Sequence, residues 1–475
     1  MTNSSQTRQD TAPLDVLIMA AGKGTRMKSR LPKVLHRLAG RALAQHAVDT
    51  AAALSARQVT VITGFGADLV EAALSAQAPS GVTLNFVRQE PQLGTGHAVQ
   101  QAVPLLGDDG IVVVLSGDVP LIRSETLAQL ITACGNERLA LLTIDFADPT
   151  GYGRILRHGE AVQAIVEQKD ASVEQRQIKE VYSGIMAVPA RLLKPWLARL
   201  DNQNAQSEYY LTDVVKFATA DGVAVVAYKI EDALQVAGVN SPVQLAQLER
   251  AHQRQTALSL MEQGVRLADP DRLDVRGTLV CAQDVFIDVN CLFEGQVSLG
   301  QGVHIGANCV IRNANLAANV VVHPFTHIDG GDAGGKNAVE VGEGALIGPF
   351  ARLRPGTRLG ADVHIGNFVE VKNSTLAKGA KANHLAYLGD ATVGERVNYG
   401  AGSITANYDG AFKHTTVIEA DVHVGSNCVL IAPVTIGAGG TVGGGSTISK
   451  DTAPLALTVG RARQISMANW KRPKK

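Results

Sequence analysis

The run Met19-Ala20-Ala21-Gly22-Lys23-Gly24-Thr25-Arg26-Met27, followed by Leu31-Pro32-Lys33, combines the residue types that hold an anion. Glycines let the main chain approach a phosphate and turn its N–H groups toward it. Lys23, Arg26 and Lys33 supply positive charge. The run follows the apolar Val16-Leu17-Ile18, so a strand leads into the loop. Its spacing is neither Gly-x-x-x-x-Gly-Lys-Ser/Thr nor Gly-x-Gly-x-x-Gly, so it is neither of the two common phosphate loops. Taken alone, it also fits a surface turn with solvated basic residues.

Two further groups could do chemistry. Asp118 follows the apolar run Ile111–Leu115. A carboxylate at the carboxyl end of a strand lies where open α/β sheets bind ligands, and it suits Mg²⁺, which takes oxygen ligands and shares phosphates with its substrate. The pair Gly117-Asp118 also fits an ordinary turn. The C-terminal half carries His304, His323, His327, His364, His384, His414 and His423. Histidine titrates near neutral pH and can take a proton from an attacking nitrogen. His364 and His423 directly precede Ile-Gly and Val-Gly, which predicts outward positions on strands. His384 lies in Asn383–Asp390, where the repeat described next loses its aliphatic marks.

The elements that must position these residues differ between the two halves. Apolar runs Val16–Ala20, Val59–Thr63, Ile111–Leu115 and Leu139–Ile144 alternate with Ala/Leu/Gln-rich stretches of helical period. That pattern predicts an α/β domain with a mostly parallel, Rossmann-like sheet. Ser241–Met261 reads as one long helix, with Ser241 as N-cap, Pro242 in the first turn and Gly264 as the stop. Beyond it the period changes. Leu299, Ile305 and Ile311 lie six apart, as do Ile347, Leu353, Leu359, Ile365 and Val371, and again Ile418, Val424, Leu430, Ile436, Val442 and Ile448. A six-residue repeat predicts a parallel β-helix with the aliphatic residue inward and a small residue at the corner. Only 18 of the 48 glycines precede Gly264, which agrees with a corner-rich second half. The register breaks at Asp329–Asn337 and shifts between Val371 and Ile418, so loops are expected to leave the coil there.

Composition excludes several classes. Lys+Arg 44 balances Asp+Glu 44, so charge gives no case for nucleic acid or an anionic membrane. The terminal Lys471–Lys475 reads as a solvated tail. The 5 cysteines are scattered without Cys-x-x-Cys, which predicts free thiols in a reducing compartment rather than disulfides or zinc. The first residues are polar, without a signal peptide's apolar core, and no apolar run approaches a membrane span. A cytoplasmic protein of about three domains is expected.

The full loop string resembles that of sugar-phosphate nucleotidyltransferases. It is followed in order by Gln89, Gln92-Leu-Gly-Thr-Gly-His97, Gly117-Asp118, Gly151-Tyr-Gly-Arg154, Ile165-Val-Glu-Gln-Lys-Asp170, Gly238-Val-Asn240 and the hexads. This order covers nearly the whole chain. It is similar to that of the bifunctional N-acetylglucosamine-1-phosphate uridyltransferase/glucosamine-1-phosphate acetyltransferase family. The resemblance implies a uridyltransferase domain over residues 1–240, a linker helix over 241–263 and a left-handed parallel β-helix acetyltransferase domain over 264–475. It implies a homotrimer that uses glucosamine 1-phosphate, acetyl-CoA, UTP and Mg²⁺.

Residue roles follow from the same resemblance. Met19, Ala20, Ala21, Gly22, Gln89, Gly94 and Thr95 match nucleotide-holding positions. Gly153 and Glu167 match positions that hold the N-acetylglucosamine, and Asp118 and Asn240 match the metal ligands. Arg26 and Lys33 would stabilise the transferring phosphates from opposite sides. His384 would be the general base of acetyl transfer. Arg354, Lys372, Tyr387 and Asn398 would bind glucosamine 1-phosphate. Ala401, Asn407, Tyr408, Ser426, Gly444 and Arg461 would hold acetyl-CoA, with the Tyr408 N–H as an oxyanion donor and Lys413 nearby. The chain departs from the family at Tyr182, where an asparagine is usual, and at Gly443-Gly444-Gly445, where alanines are usual. A nucleotidyltransferase with a β-helix that only assembles it, and a scaffold without activity, are the competing readings.

Overall fold

The structure is a computed structural model that describes residues 12–332 and 337–473. The middle of the Gly-rich insert at 329–337, expected above to be a loop, lies outside the described residues. So do the polar N-terminal residues and the last two of the basic tail. The chain forms two compact units that divide between His252 and Gln253.

The first unit is built on a nine-stranded sheet. Its strands are β1 (Leu14–Met19), β2 (Gln58–Thr63), β3 (Leu84–Arg88), β4 (Ile111–Ser116), β5 (Leu139–Asp145), β6 (Arg154–His158), β7 (Ala161–Val166), β8 (Glu180–Pro189) and β9 (Val225–Ile230). The main order is β9-β5-β8-β4-β1-β2-β3. Between them run helices α1 (Leu43–Ala53), α2 (Ala67–Ser75), α3 (Thr95–Ala102), α4 (Ser124–Cys134), α5 (Ala190–Ala198) and α6 (Val214–Ala220). The central strands read as continuous apolar runs because both sheet faces are covered. Val16 and Ile18 meet Val48 of α1, Val70 of α2 and Leu127 of α4. Leu17 meets Val99 of α3, Trp196 of α5 and Val215 of α6 on the other face.

One strand is antiparallel within the mostly parallel sheet. β8 lies between β4 and β5 and is antiparallel to both. A strand's apolar pattern fixes which face is buried but not which way the strand runs, so the sequence did not reveal this. The β6–β7 hairpin joins β8 through the pair Val181–Arg154. The β8 register is broken between Tyr182 and Met186. Gly184 takes φ 88° in that break, a value most side chains avoid.

Helix α7 spans Pro242–Glu262. The Ser241 hydroxyl accepts from the Gln244 N–H at 3.2 Å, and Gly264 has φ 96° beyond the end, so the start and stop signals act as expected.

The second unit is a parallel β-helix. Short strands stack coil on coil in three rows. In one row Phe286 pairs with His304, His304 with Val321, Val321 with Leu346 and Leu346 with His364. The inward residue of that row is Ile305, Val322, Ile347, Ile365, Ala382, Tyr399, Val424 and Val442 in successive coils, all buried. His364 and His423 open strands immediately before inward residues. The hexad slips after Val371 because some corners are one residue shorter. The inward row continues through Leu376, Ala382, Leu388, Val393 and Tyr399 without a loop. The excursion comes later, between the strands Ile404–Ala406 and Thr416–Ile418.

Candidate functional site

In the first unit the phosphate-loop residues follow β1 directly. Gly24 has φ 59°, and a Cβ there would lie 2.6 Å from Lys33 Cβ, so this position admits only glycine. Short 3₁₀ turns at Thr25–Met27 and Lys33–Leu35 then bring Lys33 back under the loop. The Lys33 ammonium donates to Asp118 Oδ2 and lies 3.1 Å from Asn240 Oδ1. Ser116 Oγ donates to Asp118 Oδ1 at 2.6 Å, and the Val239 N–H donates to the Asp118 carbonyl at 2.9 Å. The second contact ties the 238–240 segment to the end of β4. Two oxygen donors therefore aim at one cation position. Among the described residues no group of three or more His, Cys, Asp or Glu gathers. The donor set thus fits a divalent ion that draws its other ligands from phosphates and water.

Three adjoining cavities surround this point. One of ≈ 280 Å³ is lined by Met19, Ala20, Ala21, Gly22, Lys33, Gln89, Gly94, Thr95 and Asp118. A second of ≈ 190 Å³ shares Met19 and Thr95 and adds Gly153, Glu167, Tyr182 and Thr212. The third, ≈ 290 Å³, brings Arg26 and Tyr152 to Asp118 and Asn240. Lys33 and Arg26 thus line different cavities that meet at Asp118. Gln89 is buried and its amide donates to the Gly94 carbonyl at 2.9 Å. A Cβ on Gly94 would meet the Tyr209 carbonyl at 2.6 Å, so the turn into α3 requires glycine.

Glu167 accepts from the Thr212 hydroxyl at 3.0 Å, and burial pushes its carboxyl above the ordinary glutamate range. A Cβ on Gly153 would lie 3.6 Å from Glu167 Oε1, and the Gly153 carbonyl accepts from the Tyr182 N–H at 2.9 Å. The three sugar-site candidates are therefore neighbours. The Tyr182 ring forms part of this wall, but its hydroxyl is sealed from solvent and has no hydrogen-bond partner. Burial pushes that phenol's pKa up. Ser116 and Thr212 went unnoticed in the sequence, and Tyr152 entered only within the Gly151–Arg154 motif.

In the second unit the candidates gather around consecutive coils. His384 is exposed, and its Nδ1 lies 2.9 Å from Asn367 Oδ1. An acceptor there puts the proton on Nδ1 and leaves the Nε2 lone pair open. Arg354 donates to Glu370 at 2.8 Å, and Glu370 pairs in register with Tyr387. Asn398 pairs with Lys381 in the next row. Lys372 and Lys413 meet side chain to side chain, with Arg354 and Asp390 nearby. Two ammonium groups cannot donate to one another, so this contact pushes the pKa of Lys372, the less exposed of the two, down.

The excursion after Ala406 is a small hairpin. The His414 N–H donates to the Asn407 carbonyl at 2.9 Å, and Tyr408 bridges Lys413. His414 Nε2 lies 2.7 Å from Asp409, which holds that carboxyl well below its usual range. Ala401, Ser426 and Gly444 stack at one corner. The Asn427 N–H donates to the Ala401 carbonyl and the Gly445 N–H to the Ser426 carbonyl, both at 2.8 Å. Arg461 donates to the Gly444 carbonyl. The glycine at 444 thus keeps its backbone in the same row.

Residues 16–183 match the MobA-like NTP transferase domain, and residues 338–373 match the bacterial transferase hexapeptide (six repeats). The chain is 79% identical over 464 residues to the bifunctional protein GlmU of Albidiferax ferrireducens, covering 97% of this chain and 100% of that one. It is 72% identical over 469 residues to its namesake in Polaromonas naphthalenivorans, covering 98% of each. With the protein of the same name from a Janthinobacterium species it shares 55% identity over 462 residues, 97% of this chain and 99% of the other. A phosphate loop closed by Lys33, Asp118 and Asn240, a hexad coil that carries His384, and identity of this extent over both units place the chain in the GlmU family.

Proposed function

We infer that this chain makes UDP-N-acetylglucosamine in two steps. The second unit transfers acetyl from acetyl-CoA to glucosamine 1-phosphate. The first then joins the product to the uridylyl group of UTP with release of pyrophosphate. The observation that carries this reading is the pairing, in one chain, of the Lys33–Asp118–Asn240 cluster with the Asn367-oriented His384.

In acetyl transfer the amine nitrogen attacks the thioester carbonyl. His384 Nε2 takes the amine proton, a C–N bond forms, and the C–S bond breaks to release CoA. Asn367 holds the ring so that Nε2 faces the reacting nitrogen. Arg354, Lys372 and Lys413 bind the sugar phosphate, with Tyr387 and Asn398 against the sugar. Two lysines held together are costly unless an anion joins them, which disfavours a β-helix that only assembles the enzyme. Ala401, Asn407, Tyr408, Ser426, Gly444 and Arg461 hold acetyl-CoA.

In uridylyl transfer the phosphate oxygen of N-acetylglucosamine 1-phosphate attacks the α-phosphorus, and pyrophosphate leaves from the opposite side. The work is positioning and charge neutralisation. The Gly22–Thr25 backbone and Arg26 hold the departing phosphates, and Lys33 faces the attacked one. Gln89, Gly94 and Thr95 hold the base, while Gly153 and Glu167 hold the sugar. Asp118 and Asn240 would hold Mg²⁺, which when bound would supply further neutralisation of phosphate charge.

The working assembly is a homotrimer. Phe325, Phe350 and Phe368 form an exposed stacked ladder with ring centroids 5.1 and 5.3 Å apart, an apolar edge that a second copy would cover. Five free cysteines support a reducing, cytoplasmic setting. No helix among the described residues is long and apolar enough to cross a membrane. The product would supply cell-wall precursor synthesis.

The decisive assay gives the purified protein glucosamine 1-phosphate, acetyl-CoA, UTP and Mg²⁺ and follows CoA thiol and pyrophosphate separately. His384→Ala abolishes CoA release and leaves pyrophosphate release from supplied N-acetylglucosamine 1-phosphate intact. Asp118→Ala does the reverse. Acetyl transfer that survives His384→Ala would overturn the base assignment.

A further inference from the structure

Asp390 matches none of the positions assigned above, yet it lies where three parts of the acetyl-transfer site meet. It occupies a coil corner with φ 50° and is only partly exposed. Asn373, one coil before, donates through its amide to Asp390 Oδ1 at 2.5 Å. Asn407, one coil after, donates to Asp390 Oδ2. The backbone is held as well. The Asp390 N–H donates to the Lys372 carbonyl at 3.1 Å, and the Thr416 N–H donates to the Asp390 carbonyl at 3.2 Å. Asn407 and Thr416 are the two feet of the hairpin that leaves the coil. One residue therefore fastens the hairpin's start by side chain, its end by backbone, and the strand that presents Lys372.

We propose that Asp390 is a positioning residue for acetyl transfer, which fixes the Asn407–Thr416 hairpin in register with Lys372. The proposal rests on the reading of Asn407 and Tyr408 as acetyl-CoA residues. Both carboxylate oxygens are used, one for each neighbouring asparagine, so no single amide or hydroxyl can replace them. The carboxylate also faces Lys372 and Lys413. Its negative charge there opposes binding of a phosphate to those lysines. The same group thus favours the cofactor's loop and weakens the anion subsite, and the two effects can be separated.

The test uses the full chain with Asp390→Ala and Asp390→Asn. Three quantities are measured: KM for acetyl-CoA, KM for glucosamine 1-phosphate, and hydrogen exchange at the 408–413 amides. Pyrophosphate release from the other site controls for folding. Asp390→Ala raises the acetyl-CoA KM roughly tenfold, as expected when a cofactor loop shifts by a fraction of an ångström, and speeds exchange in the hairpin. Asp390→Asn, which keeps one acceptor, gives an intermediate rise. In the Asn variant the KM for glucosamine 1-phosphate does not increase. An acetyl-CoA KM within twofold of wild type in both variants overturns the proposal. So does a parallel rise of both KM values without faster exchange in the hairpin, which marks a loosening elsewhere in the coil. If Asp390→Ala does not fold, the Asn variant decides. A wild-type protein without acetyl transfer would overturn the functional reading instead, and unchanged hairpin exchange in both variants would still refute the anchor on its own.

Discussion

The Lys33 ammonium rests against the Asp118 carboxylate, with Asn240 Oδ1 3.1 Å away. A lysine therefore occupies the point at which the two proposed metal ligands converge. Two cations cannot share one carboxylate without strong repulsion in a partly buried site. Lys33 must swing toward the nucleotide when a divalent ion takes Asp118, so metal and lysine compete in the free protein.

Lys33→Met removes the competitor. Mn²⁺ binding to the nucleotide-free protein, read by electron paramagnetic resonance, tightens by roughly tenfold or more. Uridylyl transfer by the same variant falls by roughly 10²–10³, the usual loss when one charge-stabilising donor is removed. Equal Mn²⁺ affinity in wild type and variant would show that the lysine and the ion use different space.

Tyr182 gives the opposite kind of expectation. Its hydroxyl is buried without a partner, so it carries a desolvation cost. Tyr182→Phe keeps the ring that lines the cavity and deletes the orphan oxygen. Thermal or urea unfolding shows a gain on the order of 1 kcal/mol, and KM for N-acetylglucosamine 1-phosphate stays within twofold. A large KM increase would mean that the hydroxyl turns toward the sugar when substrate binds.

Legibility in the sequence followed the range of the interaction. The strand into Met19, the cap at Ser241 and the hexad from Leu299 onward are local patterns, and the structure has them where they were expected. The antiparallel course of β8 was not legible, because an apolar pattern marks the buried face and not the direction of the strand. The slip after Val371 hid the coils between there and Ile418, since one missing corner residue erases a six-residue count without disturbing the stack. Asn367, Asn373 and Asn407 each meet their partner 17 residues along the chain. No local pattern shows that pairing. Once the length of these shorter coils is known, stepping one coil back from His384 finds Asn367, and stepping one coil back and one coil on from Asp390 finds Asn373 and Asn407.

A pair of half-buried histidines makes the first unit acid-sensitive. His46 of α1 and His252 of α7 face each other edge-on with ring centroids 6.4 Å apart. Burial holds both below the ordinary value of 6.5, and the neighbouring His46 further disfavours charge on His252. Asp49, Arg41 and Glu249 lie near His46, and Glu249 also lies near His252. The unfolded chain takes up protons near pH 6.5 while the folded one resists them. Stability is therefore full above pH 6.5 and is lost as pH falls through the lower folded values. His46→Gln offers the same N–H to the Leu38 carbonyl, which His46 Nε2 meets at 2.9 Å, without the charge. Its melting temperature should fall less than wild type's between pH 7.5 and 5. Parallel pH profiles would assign the acid sensitivity to other groups.

The aromatic ladder tests the assembly. Phe325, Phe350 and Phe368 are 52%, 47% and 56% exposed, far more than aromatic rings at inward coil positions. All three adopt positive φ at successive corners, which points them outward along one edge. Leu385, also at positive φ and exposed, continues that edge beside His384. If a second copy covers the ladder, each phenylalanine buried there contributes roughly 2 kcal/mol. Phe350→Glu then places a charge at the centre of the contact. Sedimentation should show a shift from trimer toward monomer, and acetyl transfer should drop with it, because the covered edge runs into the His384 site. Pyrophosphate release, assigned above to the first unit, should remain within twofold. A variant that stays trimeric at micromolar concentration would place the contact between copies on another face of the coil.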